Sequence, residues 1–424
     1  MTSRERVLAA VTHTEPDRVP IDLGSTPSSG ISAIAYARVA KHLAQNDAKV
    51  HVYDVVQELA QPEWWAIEEF GVDVLDIGRT FNQDPSAWHP ITLHRADGAE
   101  YPAYYPSWFH PREEADGRLV ASIASGEDIA AKPRGATFFD QTCFPFIDGY
   151  PEDIPGALPD AMGKVLWAAL VHSPWDHAGE AGFWDELRSK TLELRRTTDK
   201  ALMVVVGCNL FEWGTFLRRM DNFLMDLYTD EPSVERLLDA LMESHLATLE
   251  KVCSAVGDIV DVLRFGDDLG IDSGPFMSPD IYRRLFKPRH TELCDYVHKN
   301  SGMHTFLHSC GSIYKLIPDL IEAGFEILNP VQTNTVDMEP DRLKDEFGSD
   351  VCFWGGGADT RHVLNSASPQ DVASHVRSRI DTFGPGGGFV FNTVHNIMPD
   401  VPPENIVSMF EAVNQYAKQG EVRG

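Results

Sequence analysis

From Ala201 onward the chain alternates between two textures. Short apolar runs rich in β-branched residues occupy 202–206, 259–265, 303–307, 325–328, 351–354 and 389–391. Stretches with helical spacing of apolar positions separate them, at 218–228, 232–254, 278–299, 312–323 and 369–382, and a last one follows at 403–418. Continuous apolar runs of this length predict strands buried on both faces, and their alternation with helices predicts a parallel sheet. The punctuation agrees. Ser278-Pro279 and Ser368-Pro369 pair an N-cap with a first-turn proline, and Gly324 stands where a helix should end.

The first half is less regular. Thr2 and Glu5 have capping-box spacing at the head of a helix over 2–11, and Pro16-Asp17-Arg18-Val19-Pro20 is a rigid extended turn. Helical spacing returns at 32–43 and 54–71, and 72–77 predicts a first buried strand. From about 82 to 160 proline, glycine and aromatic residues crowd together, among them Trp88, Tyr104, Tyr105 and Trp108. This reads as an insertion of hairpins and loops in one barrel domain spanning 1–424. Its aromatics are either core or a wall for a flat organic substrate. Six βα repeats, the strand at 72–77 and one more expected near 119–139 make the eight of a (β/α)8 TIM barrel. A doubly wound dinucleotide fold lacks its opening Gly-x-Gly-x-x-Gly turn.

Composition narrows the partners. The 424 residues carry 64 acidic against 36 basic side chains, a formal charge of −28, which disfavours nucleic acid and anionic membrane. No run reaches the ~20 apolar residues of a membrane span, and Met1 to Leu8 lacks a signal-peptide core, so a cytoplasmic location is expected. The six cysteines (143, 208, 253, 294, 310 and 352) have no paired spacing. In a reducing compartment they are mostly core thiols.

In a barrel, chemistry collects where strands end. The run Thr305-Phe306-Leu307 delivers His308 and Cys310, two residues apart and therefore on one face, before a turn at Gly311 and a cap at Ser312. After the last strand comes His395. Three donors with a fourth position open is the pattern of a catalytic zinc. The same residues also read as a buried thiol and two hydrogen-bonded histidines. Other strand ends supply Glu212, the pair Asp267-Asp268, Asn329, Asp359 and Asn392. Asp268 and Glu212 are the expected catalytic carboxylates, and Asp267, Asn329, Asp359 and Asn392 the expected substrate contacts. Asp267-Asp268, set between glycines, reads equally as a turn and helix cap. Gly355-Gly356-Gly357 lacks the lysine of a phosphate loop.

Several segments together resemble the uroporphyrinogen decarboxylase-like superfamily of (β/α)8 barrels. They are Gly-Asp-Asp-Leu-Gly at 266–270, Ser-Pro-Asp-Ile-Tyr at 278–282, Leu-His-Ser-Cys-Gly-Ser at 307–312, the run 323–332 and the ending 394–406, with Pro-Asp-Arg-Val-Pro near the start. The decarboxylases proper carry an arginine-rich motif that has no counterpart in 21–30. The corrinoid-dependent methyltransferases carry a zinc-binding His-x-Cys and a later cysteine, and the alignment of endings puts His395 on that cysteine. The resemblance therefore implies a zinc methyltransferase with one histidine in place of a thiolate. It would move a methyl group from a small donor to the cobalt of a corrinoid (cobalamin) carried by a separate protein. The aromatic-rich insertion makes a methoxylated aromatic the first choice of donor, with methylamines and methyl thioethers behind it. A homodimer is compatible with this scheme. The competing readings are a metal-free decarboxylase of the uroporphyrinogen type and a non-catalytic binding barrel whose His and Cys are structural.

Overall fold

The computed structural model describes residues 1–167 and 172–420. Seven parallel strands form one curled sheet in chain order. They are β1 (Val74–Asp76), β2 (Ala201–Gly207), β3 (Val262–Gly266), β4 (His304–His308), β5 (Ile327–Asn329), β6 (Cys352–Trp354) and β7 (Phe389–Val390). The six strands expected between 202 and 392 are all present, consecutive and parallel.

The eighth stave is not where the sequence pattern placed it. Residues 119–122 and 128–132 pair antiparallel in a separate four-stranded sheet. The barrel is closed instead by Pro20–Asp22. Asp22 N donates to Phe391 O at 2.9 Å and Phe391 N to Pro20 O at 2.8 Å. On the other side Asp73 N donates to Ile21 O at 2.8 Å, beside β1. A stave this short has no apolar run to announce it. Two helix boundaries also differ. Only Trp64–Glu69 of the stretch 54–71 is helical, because Val52–Asp54 and Leu59–Ala60 pair as strands ahead of Pro62. After Cys310 the chain passes through a single 3-10 turn, and its α-helix starts only at Ile317. Ser312 gives its N–H to Ile271 O and caps nothing. The caps at Thr2, Ser278 and Ser368 form as the sequence predicts.

The barrel's interior is layered. Val74, Ala201, Met203, Val262, Phe306, Ile327, Cys352, Trp354 and Val390 form one buried cluster with Val7, Ala10 and Val11 of the first helix, which plugs the N-terminal end. Side chains two residues on point the same way. The next layer towards the mouth therefore holds Asp76, Arg264, His308, Asn329 and Asn392, with Val205 beside Arg264 as an apolar member. One alternation thus makes an apolar floor and a polar mouth.

Between Trp88 and Gln141 the chain forms a hairpin, Trp88–His94 against Glu100–Pro106, and the four-stranded sheet. Its aromatics have partners within the protein. Trp88 and Tyr104 pack on His51, Tyr105 bonds Glu58, and Trp108 bonds Asp176. Tyr105, Phe109 and Phe139 are buried and pack on one another edge to face.

Candidate metal centre

The donor atoms of His308, Cys310 and His395 lie within 4.8 Å of one another at the mouth. The strand end and the turn after it arrange this. His308 closes β4 in register with Gly266 and Asn329. Cys310 is then set by its own N–H, which donates to Asp268 Oδ1 at 2.8 Å. Gly311 follows at φ 82°, where a Cβ would stand 2.2 Å from the carbonyl carbon of Gly270. Only glycine makes that turn. Its N–H is taken by Gln332 Oε1 at 2.8 Å.

Asn329 orients His308. Its Oδ1 accepts from His308 Nδ1 at 2.7 Å and from Ser28 Oγ at 2.8 Å, while its Nδ2 donates to Trp354 O at 2.8 Å. With Nδ1 protonated, Nε2 presents its lone pair, 3.4 Å from Cys310 Sγ. His395 is held differently. Asn396 N donates to its Nδ1 at 2.9 Å, so binding a cation through either nitrogen requires that local bond to be broken or the proton on Nε2 to be lost.

Electrostatics suits these groups to a cation. Burial, then the charge of Arg264, pushes His308 down to about 3, and burial, then His308, pushes His395 down to about 4. Both rings are neutral at ordinary pH, and His308 Nε2 has its lone pair free. Burial, then Asp268 and Glu212, pushes the Cys310 thiol up well above its usual range. A thiolate there needs a cation beside it, as a soft divalent ion would supply. Two imidazoles and one thiol are an ordinary zinc donor set, so the residues present fit that ion. Asp268 Oδ1 is also 3.4 Å from His308 Nε2. Behind it the Glu212 carboxyl bonds Asn209 and is pushed up to about 8 by burial and then by Asp268 and Asp267. Burial thus favours the protonated form of Glu212.

The four expected substrate contacts all make hydrogen bonds within the protein. Asp267 is fully buried and caps the helix Phe211–Arg218, accepting from the N–H groups of Leu210, Phe211 and Glu212. This is the cap reading of the Asp267-Asp268 pair. Asn329 is spent on His308. Asp359 accepts from Asn334 Nδ2 and from the N–H groups of Arg361 and His362, bracing its own loop. Asn392 is buried with its amide against the backbone of Asp22. Sequence reasoning passed over Arg264, Asp76, Tyr53 and His172, which join the polar layer. Arg264 left a signal, as a lone charge inside an apolar strand.

Residues 208–416 match the family described as uroporphyrinogen decarboxylase. The chain is 29% identical over 98 residues to uroporphyrinogen decarboxylase from Methylococcus capsulatus, covering 23% of this chain and 26% of that one. It is 48% identical over 48 residues to the enzyme of the same name from Serratia proteamaculans, covering 11% and 14%. The chain thus matches about a quarter or less of the length of these curated relatives. Among solved structures it superposes on a methyltransferase from Methanosarcina mazei with a TM-score of 0.58. That match covers 98% of this chain and 99% of the other at 16% identity, a likeness of fold. Among the described residues, no helix is long and apolar enough to cross a membrane.

Proposed function

We propose that this chain, which belongs to the uroporphyrinogen decarboxylase-like superfamily, is a zinc-dependent methyltransferase. It passes a methyl group from a small donor to a corrinoid on a separate protein. The observation that carries the reading is the convergence of His308, Cys310 and His395 at the barrel mouth. When bound there, zinc would supply Lewis acidity to the heteroatom that loses the methyl group.

The chain's own residues supply the rest. Asn329 fixes the His308 tautomer, and Asp268 holds the Cys310 backbone in place. Glu212 keeps the proton that a departing oxygen takes up. A ligand set with a single thiolate leaves the centre near one net positive charge, which favours a leaving alkoxide or phenolate over a thiolate.

The decarboxylase reading draws on the family match and on the names of the curated relatives. Against it stand the −28 charge and the absence of arginine from residues 21–30. An octa-acidic porphyrinogen would find little to bind.

The test is zinc content by mass spectrometry, with methyl transfer to added corrinoid protein, for wild type, Cys310→Ala and His395→Ala. Wild type should carry about one zinc, and Cys310→Ala should lose zinc and activity while keeping its circular dichroism. Full zinc in both variants, or none in wild type prepared without chelators, would defeat the proposal. Ordinary turnover of uroporphyrinogen would establish the decarboxylase in its place.

A further inference from the structure

The polar layer holds more than the donors above. Tyr53, Asp76, His172 and Arg264 are 8, 8, 2 and 7% exposed. Each nevertheless leaves a buried polar atom without a partner: Tyr53 Oη, Asp76 Oδ1, His172 Nε2 and Arg264 Nε. Leaving a buried polar group unpaired is costly, so four in one region call for something to bond.

They share one region. Asp76 and Arg264 follow Val74 and Val262 of the apolar floor by two residues and so face the barrel interior one layer higher. The Arg264 guanidinium reaches the tip of β3, where a Cβ on Gly266 would stand 2.9 Å from its Nη1. Gly266 is in register with His308, so Arg264 reaches the level of the metal centre. The rings of Tyr53 and His172 meet edge to face at 5.6 Å. Burial, then Asp54, Asp76 and Asp22, keeps the Tyr53 hydroxyl protonated, with Arg264 opposing.

The directions of the missing bonds can be read. His172 Nδ1 lies 2.9 Å from Ser173 O, so it carries the hydrogen and Nε2 offers a lone pair. Asp76 Oδ1 accepts. Tyr53 Oη and Arg264 Nε donate. A carboxylate in this space would face Asp76, and an ammonium would face Arg264. A hydroxyl can accept from one pair and donate to the other.

We infer that Tyr53, Asp76, His172 and Arg264 form a hydroxyl-binding subsite beside the His308–Cys310–His395 cluster, and that the methyl donor is an uncharged molecule with a free hydroxyl group. That the occupant is a methyl donor rests on the methyltransferase reading. The subsite's preference does not.

Calorimetric titration of the full-length, zinc-loaded protein without its corrinoid partner tests this with two matched pairs. These are 2-methoxyphenol against methoxybenzene, and 2-methoxyethanol against 1-methoxypropane, with 2-methoxybenzoate and 2-methoxybenzylamine as charged controls. The hydroxylated member of at least one pair should bind about tenfold or more tightly than its partner and more tightly than either charged control. In Tyr53→Phe and Asp76→Asn that ratio should shrink to about threefold or less. Equal affinities within both pairs, tighter binding of a charged control, or a ratio that survives both substitutions would overturn the inference. Failure of the methyltransferase reading appears separately, as wild type without zinc, and leaves the hydroxyl preference to be measured on metal-free protein.

Discussion

The two ends of the barrel both bury carboxylates and treat them in opposite ways. At the N-terminal end Asp73 accepts from Ser3 Oγ at 2.7 Å, Arg6 Nη1 at 2.8 Å, Arg18 Nη1 at 2.7 Å and Ile21 N at 2.9 Å. Asp261 accepts from Arg4 Nε and Leu202 N and pairs with Arg195. These charges tie the first helix, the closing stave and the strand starts into one unit. At the mouth Asp76 and its neighbours are buried almost as deeply with bonds left open. Paired charges at one end hold the fold, and unpaired ones at the other keep a place for a ligand. This is the division of labour expected between the bottom and top of such a barrel.

The largest effect should come from breaking the paired end. Asp73→Asn leaves Arg6 and Arg18 facing a neutral amide in a buried setting. It should cost about 3–5 kcal/mol by denaturant titration, with zinc content unchanged in the protein that remains folded. A cost below about 1 kcal/mol would mean that the network is decoration.

At the mouth the same kind of change should be cheap. Tyr53→Phe removes a hydroxyl that has no partner, and Asp76→Asn removes a buried charge that its neighbours compensate only in part. Each should leave stability unchanged or raise it by on the order of 1 kcal/mol, in exchange for ligand affinity. If either costs as much as Asp73→Asn, the two ends do not differ as described.

The same asymmetry explains what the sequence disclosed. Long apolar runs announced β2 to β7, because a strand buried on both faces has to be apolar throughout. His308 and Cys310 were legible because two chemical side chains two residues apart at a strand end share a face by geometry alone. The closing stave was illegible, since Pro20–Asp22 owes its place to hydrogen bonds from Phe391 and Asp73, hundreds and tens of residues away. The aspartates were the hardest to sort. Asp267 and Asp268 are adjacent in sequence, yet one is fully buried capping a helix and the other stands beside Cys310. Asp73 and Asp76 are three residues apart and serve opposite ends of β1. Only long-range partners, absent from any local pattern, tell them apart.

The smallest effect separates the two ends by pH. At the N-terminal end Glu326, about a third exposed, is raised by burial, but bonds from His298 and His304 outweigh this and leave it below its usual range. Its contribution is therefore full above about pH 4.5, the unfolded value, and is lost as pH falls below that. His298 is raised by its bond to Glu326, so its contribution is full below about pH 6.5 and is lost as pH rises through the raised value. The stability difference between wild type and Glu326→Gln should peak near pH 5.5 and shrink towards pH 3.5 and pH 8, never exceeding about 1 kcal/mol for so exposed a pair. Asp76 should behave in the opposite sense. Burial raises it to about 6, so the folded state favours its protonated form, and its ionisation costs stability as pH climbs from about 4 to 6. The stability gained by Asp76→Asn should therefore grow over that interval and level off above it. A Glu326→Gln difference that is flat with pH, or an Asp76→Asn gain that shrinks as pH rises, would show that the two ends hold their carboxylates alike.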